Sequence, residues 1–283
     1  MLTKNMLIED FINLGLSEAD TVLIRGNLGK IGRLKKRDLF LEALFDVIGE
    51  EGTIVTLGFT KSFPFYRVNK NYVYTEKTLP ETGALGKLFL KNKKHYRSSH
   101  PTNSFIALGK HAKYITEDHD EKSLSYDPMK KIIELDAKMI IFGIIEDSPG
   151  FTTVHYAQQE LGLTKKSFFK KLFRVFYLDK NGNKKIFKKS DIGGCSNGFG
   201  KFYQYYISNG ILKIGNIGNS KAILSGAKDS YDIEYKLIEK NHSYFFCDNP
   251  LCVSCRVSWK YDFKYLPTFI ILKLIDRLKK IKN

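Results

Sequence analysis

Residues 21–57 read TVLIRGNLGKIGRLKKRDLFLEALFDVIGEEGTIVTL and contain the pattern that decides the fold. The short apolar runs 21–25 (TVLIR) and 53–57 (TIVTL) have the length and β-branched content of buried strands. Between them, RDLFLEALFDVIG (37–49) has apolar residues at helical spacing and ends at Gly49, a common helix stop. A strand, a helix and a second strand in this order predict an α/β fold.

The same alternation continues outward from this stretch. We expect further strands at 104–108 and 139–144, and a β-hairpin around Asn181-Gly182 in the region 172–190. Helices are expected at 3–14, 84–91, 128–135, 152–162, 200–209 and 228–240. The sequence therefore predicts a central mixed sheet flanked by helices, with a β-hairpin insertion.

The composition indicates a globular protein with anionic partners. The 283 residues include 46 Lys and Arg against 30 Asp and Glu, a formal net charge of +16, with 43% hydrophobic residues. That balance excludes intrinsic disorder. A surface this basic attracts nucleic acid, anionic lipid or a phosphorylated small molecule. The abundance of Lys, Ile, Asn and Phe is also typical of an AT-rich genome, which would explain much of the charge without a function.

No stretch predicts a signal peptide or a membrane span, so we expect a cytoplasmic location. The tail from Pro267 predicts a basic amphipathic helix that either docks on the domain or lies on an anionic membrane, at the inner membrane face. Its apolar stripe is Ile271, Leu274, Ile275, Leu278 and Ile281, and its basic residues are Lys273, Arg277 and Lys280.

The four cysteines are too few for a disulfide scaffold of this length. Cys247, Cys252 and Cys255 contain one CxxC, and His242 lies five residues upstream of Cys247. Four ligands in that order could hold zinc, but a single CxxC is half of the usual zinc pattern. We therefore favour reduced thiols packed among aromatic residues, and we expect that no metal is required.

Two other motifs do not establish a ligand. The basic and aromatic run KKSFFKKLFRVFY (165–177) could contact phosphates and stack on bases, but no nucleic-acid module surrounds it, so no nucleic-acid partner is expected. The glycine-rich segment GGCSNGFG (193–200) does not have the spacing of a dinucleotide fingerprint.

Several motifs spread along the chain indicate a protein family more specifically than the segments above. RSSHPTNSF (97–105) is followed by FTTVHYA (151–157) and GNIGNS (215–220), and is preceded by the strand-like segments already quoted. In this order and spacing, the chain resembles the aminoglycoside 3-N-acetyltransferase family from about residue 5 to about residue 240. We accordingly assign residues 1–245 to an acetyltransferase-like domain. Residues 246–283 form a cysteine-containing segment with the basic tail.

The resemblance implies transfer of an acetyl group from acetyl-CoA to an amine of an amino sugar, with His155 as general base. A histidine suits that role near neutral pH. Thr60 and Gln158 would contact the acceptor. The residues implied to bind acetyl-CoA are Gly26, Asn27, Leu28, Gly29, Lys30, Arg97, Ser98, His100 and Ser104.

The chain departs from the family pattern at three places. Arg25-Gly26-Asn27 stands where the family usually has His-Ser-Ser, and Gln158 stands where an acidic residue follows the histidine. The segment 195–202 lacks the acidic residue that commonly orients the histidine. Asp191 is the nearest carboxylate, and we nominate it for that catalytic role.

The charge bears on the acceptor, because a polycationic aminoglycoside needs carboxylates in its pocket. We therefore expect an N-acetyltransferase for an amino sugar on a nucleotide- or lipid-linked phosphate carrier, as in surface-polysaccharide synthesis. One alternative is an aminoglycoside 3-N-acetyltransferase that confers antibiotic resistance. A second is a non-catalytic, membrane-associated binding protein of the same fold. A homodimer is also left open.

Overall fold

The computed structural model describes residues 1–167, 171–190, 195–259 and 266–282, with side chains up to Leu278. Its helices are α1 Lys4–Leu14, α2 Leu39–Ile48, α3 Ala84–Lys91, α4 Ala112–Thr116, α5 Pro128–Glu134, α6 Thr153–Glu160, α7 Tyr203–Ser208, α8 Ala227–Lys240, α9 Val253–Arg256 and α10 Leu266–Lys282. Its strands are β1 Thr21–Gly26, β2 Thr53–Phe59, β3 Phe63–Pro64, β4 Val73–Tyr74, β5 Tyr96–Arg97, β6 Asn103–Gly109, β7 Lys138–Phe142, β8 Phe173–Leu178, β9 Lys184–Lys188, β10 Lys213–Ile217 and β11 Ser220–Gly226.

A seven-stranded mixed sheet forms the centre of the molecule, in the order β10-β11-β7-β1-β2-β6-β5. Strand β1 pairs in parallel with both β2 and β7, and the remaining pairs are antiparallel. Strands β2 and β7 therefore lie on opposite sides of β1, so the strand order changes direction at β1. Ligand clefts in α/β sheets form outside the carboxyl ends of strands at such a switch point.

Two hydrophobic clusters cover the two faces of this sheet. Helices α1, α2 and α3 pack on one face through fully buried side chains such as Phe11, Phe40 and Phe89. Helices α5, α6 and α8 cover the other face, where Met129, Val154 and Ile238 are among the buried residues. Strand residues alternate between these clusters, as the pleat of a sheet buried on both faces requires.

A small second sheet contains the predicted hairpin. Strands β8 and β9 pair antiparallel around Asn181-Gly182, and Gly182 has a φ of 78°, a conformation that glycine adopts readily. Strands β3 and β4 extend this sheet by pairing with β8. The prediction of a mixed α/β fold with a hairpin insertion is confirmed.

The core continues beyond residue 245. Phe246, Cys247, Cys255 and Trp259 belong to the same cluster as the helices on the second sheet face. Further along the chain, α10 exposes apolar side chains, and Ile271, Leu274 and Leu278 are each more than half exposed. Among the described residues, no helix combines the length and apolarity needed to cross a membrane.

Candidate active site

A cleft of about 310 Å³ opens at the carboxyl ends of β1 and β2, at the switch point of the sheet. Its walls come from the ends of these strands, the segment after β7, the start of α6 and the segment 196–199. The described residues that line it are Arg25, Gly26, Thr56, Leu57, Phe59, Thr82, Leu85, Tyr126, Ile144, Ser148, Thr152, His155, Ser196 and Phe199.

His155 lies in the first turn of α6 and lines this cleft. Its ring stacks on Tyr126 at a centroid distance of 4.8 Å, and Phe199 meets it edge-on at 4.9 Å. The turn before the helix depends on Gly150, which has a φ of 79° and whose missing Cβ would lie 2.2 Å from the Cβ of Phe199. The aromatic rings and the turn fix the position of the imidazole.

Gln158 lies one helical turn after His155, and its side chain is buried. Its Oε1 is 3.1 Å from Nδ1 of His155. Because an amide oxygen can only accept a hydrogen bond, the proton resides on Nδ1 in this arrangement. Nε2 then has the lone pair that a general base needs. Gln158 is not among the described residues that line the cleft, so its side chain contacts the histidine and not the acceptor that the resemblance implied.

Arg25 supplies the positive charge in the cleft. The guanidinium donates to the carbonyl oxygen of Gly150 at 2.9 Å and to the hydroxyl of Ser148 at 2.7 Å. Burial lowers the pKa of Arg25, but an arginine remains charged over the physiological range. No Asp or Glu is found among the described residues that line the cleft.

The segment expected to bind acetyl-CoA follows β1 directly. Gly26 lines the cleft, and its missing Cβ would meet the Phe142 ring at 2.2 Å, so only glycine fits there. Asn27 accepts from the amide of Gly29 at 2.9 Å, and Lys30 forms an exposed ion pair with Asp147 at 2.8 Å. Leu28 is buried and takes part in the core. Of this set, Gly26 is the residue that reaches the cleft.

Comparison with known proteins agrees with this architecture. A family model described as aminoglycoside 3-N-acetyltransferase matches residues 23–239, more than half of the chain. The chain belongs to the aminoglycoside 3-N-acetyltransferase family. The resemblance seen in the sequence motifs is thereby confirmed.

Three similar proteins illustrate the relationship. A prophage-derived aminoglycoside N(3')-acetyltransferase-like protein, YokD of Bacillus subtilis (strain 168), is 30% identical over a region covering 56% of this chain and 65%, just under two thirds, of YokD. The AAC(3)-IVa variant solved in complex with a gentamicin has a TM-score of 0.76 at 20% identity, covering 90% of this chain and 97% of that one. AAC-IIIb solved with CoASH has a TM-score of 0.71 at 20% identity, covering 84% and 97%.

In this family member, the RSSHPTNSF segment builds the fold beside the cleft. Arg97 donates to the carbonyl oxygens of Glu76, Thr78 and Gly58 at 2.5–2.9 Å and to the Ser104 hydroxyl at 3.0 Å. None of these residues is among the described cleft lining. The hydrogen bonds of Arg97 therefore join the loop at Glu76 and Thr78 to strands β2 and β6, which differs from the phosphate contact that the resemblance implies.

The remaining side chains of this segment are also turned toward the protein. His100 is buried, and its Nδ1 accepts from the amide of Asn103 at 3.0 Å. Burial, with a smaller contribution from Lys189, lowers the pKa of His100 to about 3, so the ring is neutral. Ser98 accepts from the amide of Phe105 at 2.9 Å, and Ser104 donates to the Gly58 carbonyl at 2.7 Å.

The structure also places the other candidates and shows residues that the sequence did not single out. Thr60 lies outside the described lining and donates to the Pro101 carbonyl at 2.6 Å. Asp191 lies outside the described residues, so its nomination stays a prediction. Ser196 and Phe199, by contrast, line the cleft from the glycine-rich segment 193–200, which had no assigned ligand.

A buried carboxyl group supports α6 from behind. Glu234 on α8 is fully buried and accepts from the hydroxyl groups of Thr153, at 2.9 Å, and Tyr206. Burial raises its pKa to about 8 despite these two hydrogen bonds. The carboxyl group is therefore mainly protonated at neutral pH and joins α8 to the start of the helix that carries His155.

Proposed function

We propose that the protein is an acetyl-CoA-dependent N-acetyltransferase in which His155 is the general base. The observation that carries this proposal is the placement of the imidazole in the cleft with Nδ1 directed at the Gln158 oxygen. That arrangement makes Nε2 the basic nitrogen. Membership of the aminoglycoside 3-N-acetyltransferase family supports the same reaction class.

The reaction requires a neutral amine to attack a thioester carbonyl. In the proposed step, the amine nitrogen bonds to the acetyl carbon while its proton passes to Nε2 of His155. Collapse of the tetrahedral intermediate breaks the carbon–sulfur bond, and the departing CoA sulfur receives the proton from His155. A positioned base of this kind typically accelerates a reaction by about 10²–10⁴-fold.

Acetyl-CoA is the proposed acetyl donor. AAC-IIIb, which shares the fold, was solved with CoASH. In this chain, Gly26 gives a ligand close access to the backbone at the end of β1, and the Arg25 guanidinium offers a cation for a phosphate or a developing negative charge. Both features lie within the cleft that contains His155.

The proposed acceptor is an amino sugar on a phosphate-containing carrier. Aminoglycosides are polycations, and the described cleft lining has a cation, Arg25, and no carboxylate. The formal net charge of +16 also favours an anionic acceptor. The alternative is an aminoglycoside acceptor, which the family name and the AAC(3)-IVa complex with a gentamicin favour.

A thiol-release assay tests the activity and the choice of acceptor. The full chain is incubated with acetyl-CoA and, separately, with a nucleoside-diphosphate amino sugar and with gentamicin. We expect CoA release with the nucleotide-linked sugar at a kcat/KM about tenfold or more above that with gentamicin, which corresponds to about 1.4 kcal/mol. Mass spectrometry of the acceptor confirms acetylation of the amine.

The outcomes separate the alternatives. Gentamicin turnover far above that of the nucleotide-linked sugar would establish the aminoglycoside acceptor instead. Absence of turnover with every amine, from protein that is folded by circular dichroism, would favour a non-catalytic binding protein. CoA release should also be lost in His155→Ala. His111→Ala serves as the matched histidine control, because His111 lies outside the described cleft lining.

We also propose that α10 places the enzyme on an anionic membrane surface in the cytoplasm. The helix exposes Ile271, Leu274 and Leu278 together with the cations Lys273 and Arg277. Co-sedimentation with phosphatidylserine vesicles should fall at least fivefold for Leu274→Asp. Equal sedimentation of Leu274→Asp and the control Lys228→Asp, a change on α8, would contradict this placement.

A further inference from the structure

All four cysteines of the chain meet at one place next to the active-site cleft. The sulfur atoms of Cys195, Cys247, Cys252 and Cys255 all lie within 4.8 Å of one another. The sequence contains four cysteines in total, and each of them is free in the structure. The CxxC pair is therefore completed by one sulfur five residues upstream and by a second from a distant segment.

We propose that these four cysteines bind a structural zinc ion. Four thiolates around zinc at about 2.3 Å form a tetrahedron whose sulfur atoms are about 3.8 Å apart. The four sulfurs of the structure lie within 4.8 Å of one another, so a small contraction would bring them to that tetrahedron. A tetrahedral set of four sulfur ligands is typical of structural zinc, which keeps no open position for a substrate. The expectation of reduced thiols without a metal is therefore replaced by a metal-site proposal.

The distant ligand is the part that the sequence did not show. His242 was the fourth candidate beside the three C-terminal cysteines, but it is not a member of this group in the structure. Cys195 is the fourth member of the group instead. Phe199, which begins the turn after Cys195, packs against Phe245 at a centroid distance of 6.3 Å. This contact brings the segment after residue 194 next to the C-terminal cysteines.

Backbone amides already donate to two of the sulfurs. The amide of Asn197 lies 3.4 Å from Sγ of Cys195, and the amide of Cys247 lies 3.4 Å from Sγ of Cys255. Hydrogen bonds from amides stabilise negative charge on sulfur and commonly surround thiolate-bound metals. The turn geometry around the sulfurs is thus suited to thiolates.

Two cationic side chains donate hydrogen bonds to backbone carbonyls at Cys247 and the residue before it. Lys201 donates to the Phe246 carbonyl at 2.7 Å, and Arg256 donates to the Cys247 carbonyl at 2.7 Å. Zinc with four thiolates has a net charge of −2, which a partly buried site must balance with nearby positive charge. Lys201 also forms an ion pair with Asp248 at 2.7 Å, so the two cations offset part of the charge of the zinc thiolate group and not all of it.

The burial of the ligands fits a site that is both enclosed and accessible. Cys247 and Cys255 are buried, whereas Cys195 and Cys252 are partly exposed. A metal ion can therefore enter from the solvent side and be held by two sulfurs from the core. The neighbours of Cys195 in the chain, Ser196 and Phe199, line the cleft, so the ion would anchor one wall of the active site to the C-terminal segment.

Metal analysis of the purified full chain tests the proposal. Inductively coupled plasma mass spectrometry should find about one zinc per chain, and X-ray absorption at the zinc edge should show four sulfur neighbours at about 2.3 Å. Cys195→Ser and Cys252→Ser should each reduce the zinc content at least fivefold. The controls Ser254→Ala, inside the CxxC, and His242→Ala should retain the full zinc content.

The result is independent of acetyl transfer, because metal content and coordination are measured without a substrate. Zinc below about 0.1 per chain, even after expression and refolding with added Zn²⁺, would overturn the proposal. Iron in place of zinc, a shell containing nitrogen, or two disulfides per chain by thiol titration would also overturn it. The spectrum of the wild-type protein decides these points even where a cysteine variant does not fold.

Discussion

The Nδ1 atom of His155 lies 3.1 Å from the Oε1 atom of Gln158, one turn further along α6. A neutral amide thus fixes the tautomer of the proposed base. A carboxylate at the same position would also fix it, but would in addition stabilise the protonated imidazole. This difference makes the pH dependence of the enzyme sensitive to residue 158.

Gln158→Glu should raise the pKa of His155, because the new carboxylate favours the imidazolium form. The neutral, basic form then appears only at higher pH, so the acidic limb of the kcat/KM profile should move to higher pH. Gln158→Ala is the control that removes the hydrogen bond without adding charge. It should lower kcat without moving the acidic limb of the kcat/KM profile to higher pH. An unchanged acidic limb in Gln158→Glu would show that residue 158 does not act on the base.

Arg25→Glu should reverse the preference of the cleft for charge. We expect the ratio of kcat/KM for the nucleotide-linked amino sugar to that for gentamicin to fall at least tenfold, because a contact to a charged group is worth about 1.5–3 kcal/mol. Arg33→Glu makes the same charge change on an exposed residue. If both variants alter the ratio equally, the effect is that of net charge and the cleft position of Arg25 is irrelevant.

Arg97→Lys should destabilise the fold without weakening acetyl-CoA binding. The guanidinium donates to two carbonyls of one loop, at Glu76 and Thr78, and to the Gly58 carbonyl of β2, and a lysine cannot reproduce that fork. We expect urea unfolding to show a loss of about 2–4 kcal/mol, while the dissociation constant of acetyl-CoA changes less than about twofold. Arg67→Lys, on the exposed surface, is the control. A large loss of affinity with unchanged stability would restore Arg97 as a CoA ligand.

Glu234→Gln should stabilise the protein, and increasingly so at higher pH. Burial raises the pKa of Glu234 to about 8 from 4.5, so the folded state retains a proton that the unfolded state releases. The stability associated with this group is present below pH 4.5 and is lost as the pH rises to about 8. A glutamine keeps the acceptor for Thr153 and Tyr206 and removes this loss.

The free energies of unfolding of wild type and Glu234→Gln should be nearly equal at pH 5 and differ by roughly 2–4 kcal/mol at pH 8. Denaturant titrations at the two values measure the difference. Glu239→Gln on the exposed face of the same helix should show no such trend. A pH-independent difference for Glu234→Gln would mean that Glu234 is already ionised in the folded protein.

The sequence predicted the long buried elements well, because their hydrophobic periodicity is strong. Strands β1, β2, β6 and β7 are continuous apolar runs, and the predicted helices have regular apolar faces. Strands β10 and β11 were both missed. KIGNI of β10 is mostly exposed, and β11, although largely buried, has an apolar run of only three residues, 222–224. The two-residue strands β3 and β4 are too short to produce a pattern and depend on pairing with β8.

The site was predictable where one side chain defines it and not where distant segments meet. His155 lies in the cleft to which the motif assigned it. Arg97, His100 and Ser104 stand in an equally specific motif, yet their hydrogen bonds are to the protein, and a motif does not distinguish a ligand contact from a structural one. Likewise, no local pattern connects Cys195 with the C-terminal cysteines.

The kcat/KM for acetyl transfer by His155→Ala, measured beside wild type and His111→Ala with the preferred amine, tests the general-base assignment most directly. We predict a loss of about 10²–10⁴-fold in His155→Ala, which becomes smaller when the assay pH is high enough to deprotonate the acceptor amine. His111→Ala should retain wild-type turnover. Turnover by folded His155→Ala within about threefold of wild type at neutral pH would contradict the account.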